Sequence, residues 1–194
     1  MGTHGRSRGF TLIELMIVVA IVGVLAVLAV VGYRRWTRSA YLAEAQDMVA
    51  SIRTNEEAFL GENGAYLNVS NGLGPPSDYP AANPGHTKTA WGAPCATCPS
   101  PSAWQSLNVT SAGPVAFGYS VVAGDGVVIK PTGLTNKWGA PSVGGTAIDL
   151  AAMANNAPWF FVEADANLSG DGVSYMHVYA ASHSNQLWID GEGN

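Results

Sequence analysis

Between Phe10 and Gly32 lie 23 residues with a single ionisable side chain, Glu14. As a helix that run is about 34 Å long, enough to cross the hydrocarbon core of a bilayer. Arg6 and Arg8 precede it and no acid does, so the charge bias predicts an N-terminus in the cytoplasm and the remainder outside. A cleaved secretory signal fits poorly, because no small-residue cleavage site closes the run and the helical pattern continues past it. A plain anchor leaves Glu14 unexplained, since a lone carboxylate in lipid costs at least a few kcal/mol.

Beyond the run, the stretch from Tyr33 to Leu60 keeps a helical period. Leu42, Ala45, Val49, Ile52 and Phe59 recur at spacings of three or four, with Glu56 in one slot, and form an apolar stripe. Arg34, Arg35, Asp47, Arg53 and Glu57 lie largely off it. No proline occurs before Leu60, and Gly61 stands where a helix would stop. A single helix from Phe10 to Leu60 would be about 77 Å long. Its first half suits lipid, and its second half suits packing on a globular domain.

The remaining chain is of another kind. From Gly61 onward three basic residues, Lys88, Lys130 and Lys137, face nine acidic ones. Phosphate backbones bind Lys and Arg clusters, so nucleic-acid binding by this body alone is excluded as a working reading. Residues 61–114 hold eight of the eleven prolines and little periodicity, which predicts a long surface loop. It contains Cys95 and Cys98, which an exported chain would oxidise to a local bridge; a redox CxxC is disfavoured because no βαβ pattern surrounds the pair. From Val115 on, "VAFGYSVVA", "GVVIKP", "PWFFVEADA", "VSYMHVYAA" and "QLWIDGE" read as five short strands, the first two joined by a "GDG" hairpin. The fold class expected is α+β: a long N-terminal helix packed on a C-terminal antiparallel sheet. The divisions are a leader 1–9, a transmembrane helix 10–33, an amphipathic helix 34–60, a Pro/Gly-rich loop region 61–114 and a sheet 115–194. Trp91, Trp104 and Trp138 are expected to serve packing before adhesion.

The N-terminal residues "RGFTLIELMIVVAIVGVLAVLAVVGY" closely resemble the start of type IV pilins and related pseudopilins. The pattern is a short basic leader ending in Gly, then Phe, then Thr-Leu-Ile-Glu, then a long apolar helix, and it covers about the first quarter of the chain. The resemblance implies that a prepilin peptidase cuts between Gly9 and Phe10 and that the new terminus, Phe10, is N-methylated. It also implies a homopolymeric filament built on the apolar helices with pilus or secretion machinery. Localisation would be the inner membrane before assembly, then an extracellular filament or a periplasmic pseudopilus. The carboxylate of Glu14 can then pair with the Phe10 ammonium of a neighbouring subunit, a buried charge tolerated because it is matched. Val31 stands where many members carry a proline, which leaves minor-pilin and pseudopilin roles open beside the pilin one. A membrane-tethered binding protein is the rival of a different class.

No enzyme signature is present: His4, His86, His177 and His183 lack metal-ligand spacing, and there is no HExxH, GxSxG or P-loop. No cofactor is required. Ca²⁺ is the one candidate ion, because Asp165, Asn167, Ser169 and Asp171 alternate as in the first half of a Ca²⁺ loop, with Gly170 as the turn. The distal acid of such a loop is replaced by Met176, and a polar hairpin turn accounts for the same residues without an ion.

Overall fold

The structure, a computed structural model, describes residues 10–96, 98, 101–128, 131, 133–150 and 156–191. The chain divides after Ala40 into two compact units, and one helix, α1 (Leu12–Asn63), has residues in both. It is unbroken across Val31 and Gly32. It outlasts Gly61 by two residues: Gly64 takes the left-handed conformation at φ 73° and returns its N–H to the Leu60 carbonyl at 2.8 Å. Gly64 therefore supplies the C-terminal stop.

In the second unit the predicted stripe is the buried one. Leu42, Ala45, Val49 and Ile52 join a core with Phe160, Val162, Ala164, Val178 and Ala180 of the sheet, and each large aliphatic so placed contributes about 1.5–3 kcal/mol. Glu56 occupies the next slot of the stripe and is also fully buried. Its Oε2 accepts the Leu67 N–H at 2.9 Å. Burial nevertheless pushes its carboxyl up to about 7, against the pull of that hydrogen bond and with a small push from the Glu57 charge.

A second, short helix, α2 (Pro101–Ser106), interrupts the loop region and buries Trp104. The sheet has four antiparallel strands in the order β1 (Gly118–Gly124), β4 (Trp159–Ala166), β5 (Met176–Ala181), β6 (Ser184–Asp190). A small hairpin of β2 (Ser142–Val143) and β3 (Thr146–Ala147) lies between β1 and β4 in sequence. Side chains alternate across the sheet. Phe160, Val162 and Ala164 join the core that contains the α1 stripe, while Trp159, Phe161, Tyr179 and Ala181 form a second cluster with Leu73 on the other face. Leu134, Val143, Ile148 and Leu150 pack on that second cluster, which is why β4 is buried at all eight positions.

The loop region is pinned to the sheet. Tyr79 and Tyr119 exchange both backbone hydrogen bonds, at 3.0 and 2.8 Å, and Ser70 N–H bonds the Val121 carbonyl at 2.8 Å, so the outer edge of β1 is covered. Tyr79, Trp91, Trp104 and Tyr119 cluster with ring centroids 5.0–6.0 Å apart. Trp104 is buried and Trp91 half-buried in that cluster, while Trp138 is exposed. Cys95 and Cys98 are joined by a disulfide, and Cys98 packs on the main core.

Among the described residues the expected hairpin at "GDG" does not form; Ile129 and Lys130 of its second strand lie outside them. Asp125 Oδ1 accepts the N–H groups of Val127 and Val128, at 3.0 and 2.8 Å, which uses donors a ladder would need. Gly126 sits at φ 75° so close to Ala157 that a Cβ would fall 2.2 Å from its carbonyl oxygen. Val127 and Val128 are exposed and outside any strand, and β1 takes β4 as its partner instead.

Candidate functional site

Every residue from Phe10 to Trp36 is exposed. The larger aliphatic side chains of this segment point to all sides of α1 with more than half of their surface uncovered, and Phe10 is 84% exposed. A helix that is apolar all round is a buried helix, in lipid or among other helices. α1 is long and apolar enough here to cross a membrane.

Glu14 sits in the first turn. Thr11 precedes the helix, and the Glu14 Oε2 accepts both the Thr11 N–H at 2.8 Å and the Thr11 hydroxyl at 2.7 Å. The Glu14 N–H reaches the Thr11 hydroxyl at 3.3 Å. This is a capping box, in which Thr and Glu three residues apart satisfy helix N–H groups reciprocally. The spacing was visible as Thr11-x-x-Glu14 before an apolar run, yet sequence reasoning assigned Glu14 only a role between subunits. The carboxylate thus has a task within its own chain. Gly9 and the leader 1–9 lie outside the described residues.

Of the residues read as the start of a Ca²⁺ loop, Asn167, Ser169 and Asp171 come together and hydrogen-bond one another. Asn167 Oδ1 accepts from Ser169 Oγ and the Gly170 N–H, and its Nδ2 donates to Asp171 Oδ1. Asp171 also accepts from the Ser174 hydroxyl and from the N–H groups of Ser174 and Val173. Those bonds, the Ser174 hydroxyl foremost, hold its carboxyl below the usual carboxylate range. The three form a closed polar turn that spends its acceptors internally. Asp165 belongs elsewhere.

On the second face of the sheet, Asp165 joins Glu163 of the same strand and His177 of β5, with donor atoms of the three within 4.8 Å of one another. Register places Asp165 opposite His177 across the ladder. Asp78, from the loop region, lies over Gly118, where a Cβ would come 2.6 Å from the Asp78 Cβ. Burial, and then the neighbouring negative charges, push both Asp78 and Asp165 well above the ordinary carboxylate range. Sequence reasoning missed this group. Glu163 and Asp165 are two apart in a strand and so share a face, but only the covering loops make that face an interior.

The first residues also decide the relationship to known proteins. The family model of the prokaryotic N-terminal methylation motif matches residues 4–30. A type IV major pilin protein of Myxococcus xanthus is 39% identical over 69 residues, 36% of this chain and 31% of the relative. A fimbrial protein of Pseudomonas aeruginosa is 44% identical over 56 residues, 29% of this chain and 36% of the relative. A type IV major pilin protein of Neisseria gonorrhoeae is 40% identical over 75 residues, 37% of this chain and 46% of the relative. The N-terminal segment is similar to those of type IV pilins. The chain spans less than half the length of each of these pilins, so the likeness belongs to the helix more than to the sheet domain. No solved structure gives a significant match.

Proposed function

We propose that this chain is a structural subunit, a pilin, of a type IV pilus or related filament. The observation that carries the proposal is a helix segment apolar on all sides and exposed among the described residues, introduced by the Gly9–Phe10–Thr11 sequence and Glu14. Lipid suits such a helix before assembly, and a bundle of identical helices suits it afterwards. Cleavage of the Gly9–Phe10 amide by a prepilin peptidase would release the Phe10 amine, the group that the methylation motif names as the substrate of methyl transfer. That amine stands four residues before Glu14, and in a bundle it offers the carboxylate a cation. The inner membrane is the site of the unassembled subunit and the filament its destination; nothing in this reading requires catalysis by the chain itself. The naming of relatives as major pilins and fimbrial proteins supports a pilin over a secretion pseudopilin.

Two variants separate the capping role of Glu14 from its charge. Glutamine serves a capping box as glutamate does, so Glu14→Gln keeps the first turn but cannot hold an ammonium. It should abolish filaments while membrane insertion persists. Thr11→Ala removes the cap, at about 1 kcal/mol, and should leave filaments countable by electron microscopy. Normal assembly of the glutamine variant would sink the charge-pairing step, and a mature N-terminus other than Phe10 would sink the pilin reading.

A further inference from the structure

We propose that Glu163, Asp165 and His177, with Asp78 beside Asp165, form a buried binding site for one divalent transition-metal ion of the zinc class. The four side chains come from three places in the chain: the loop region, β4 and β5. Asp78, Glu163 and Asp165 are fully buried, and the His177 side chain is 11% exposed. Both carboxylate oxygens of Asp78, both of Asp165, Glu163 Oε2 and His177 Nδ1 make no well-aligned hydrogen bond within the protein, although the Asp78 side chain lies close enough to those of Asp165 and Ser120 to interact with both. Buried polar atoms are normally paired, and so many at one spot demand a partner. His177 Nδ1 and Glu163 Oε1 stand 3.3 Å apart but do not meet in hydrogen-bonding alignment. A separation of about 3.3 Å is what two donors on one zinc ion show, given bonds near 2 Å and a tetrahedral angle.

The surroundings support a cation. Among the described residues, no lysine or arginine ion-pairs with any of the three carboxylates; Lys137, whose charge acts on Asp165 from a distance, lies over the Trp138 and Tyr175 rings at 5.7 Å. Three acids with one imidazole leave negative charge that a divalent ion would neutralise. An imidazole among carboxylates favours zinc, cobalt or manganese over calcium and magnesium, which prefer oxygen alone. Room is provided by two glycines. Gly118 admits Asp78, and Gly74, at φ 64°, lies so that a Cβ would be 3.4 Å from Asp165 Oδ2. An outer contact is also in place: Asn136 Nδ2 donates to Glu163 Oε1 at 2.7 Å and so fixes that carboxylate. Trp138 stands edge-on to the His177 ring at 4.7 Å. A site this enclosed is structural. It would clamp the loop region, through Asp78, to the two central strands.

The test uses the full chain in detergent micelles, stripped by chelator and titrated with Zn²⁺ in the presence of excess Ca²⁺ and Mg²⁺. One zinc should bind per chain, and the melting temperature should rise with zinc concentration by mass action. His177→Ala and Asp165→Asn should lose stoichiometric binding, Asn136→Ala should weaken it by about 10–100-fold, and Asp171→Asn should bind as the parent does. Because a core variant can misfold, Co²⁺ loaded into the unmodified chain gives a second readout: its visible ligand-field spectrum should be that of a low-symmetry nitrogen and oxygen site. Absence of zinc binding by the parent chain, a cobalt spectrum equal to that of the hydrated ion, or loss of binding in Asp171→Asn would each overturn the proposal. In the first case the Asp78 and Asp165 carboxyls share a proton instead of an ion.

Discussion

The two halves of α1 use one secondary structure for opposite ends. From Leu12 to about Gly32 the helix is apolar on every side and exposed on every side. From Leu42 to Glu56 it is apolar along one stripe, and that stripe is buried. Period decides the difference. Where apolar residues recur every three or four positions, a single sheet face covers them; where they are continuous, one neighbour cannot, and lipid or several helices would be needed. The second half therefore encodes the fold of the globular unit, and the first half something outside it.

The comparison can be broken most sharply by placing a charge in the uncovered half. Val22→Lys should cost about 2.5–3.5 kcal/mol of insertion and abolish filaments, with no change in the thermal stability of the sheet domain. A circular-dichroism melt in detergent alongside electron microscopy checks both parts. If filaments survive, that half needs no all-round cover. Truncation in the covered half should do the reverse: Ile52→Ala should destabilise the domain by about 2–5 kcal/mol, read by urea unfolding, whereas Val22→Ala should leave the same transition unmoved.

Glu56 sharpens the comparison, since it places an acid where the stripe wants a hydrophobe. Its carboxyl titrates at about 7 in the fold, above the ordinary value of 4.5. The folded state therefore binds more protons than the unfolded one between those values, so this contribution to stability is full below 4.5 and lost as pH rises through 7. Glu56→Gln should flatten that loss and leave the protein more stable than the parent at about pH 8, by at most about 3 kcal/mol. A parent stability that rises between about pH 5 and 8, with no difference in the variant, would contradict the assignment. The smallest effect is expected at the end of the helix. A Cβ added at Gly64 would meet nothing within 4 Å, but the backbone there is left-handed, so Gly64→Ala should cost about 1 kcal/mol through conformation alone, read by the same urea transition.

Much of this was legible in the sequence, for reasons that residues make plain. Leu42, Ala45, Val49 and Ile52 announce a stripe by their spacing, and the runs at β1, β4, β5 and β6 announce strands by composition. Three features were not legible. Gly61 and Gly64 look alike until one of them takes a positive φ. "GVVIKP" reads as a strand because composition is blind to the Asp125 side chain capturing the N–H groups of Val127 and Val128. Of the acids of β4, Asp165 was read into a Ca²⁺ loop and Glu163 was given no role, since local alternation cannot reveal that residues far along the chain, Leu73 and Leu134 among them, pack on the second face of the sheet. Thr11 and Glu14 were legible as a capping box, but the unusual setting of the carboxylate drew attention to its charge instead.

The pairing of Tyr79 with Tyr119 bears on life in a crowd. Subunits held in one membrane plane or stacked along a polymer meet each other at very high local concentration, where an open strand edge invites runaway zippering into amyloid-like aggregates. With its own loop already seated along β1, the body offers no docking strand on that side. A strand from a second copy would find that edge already occupied.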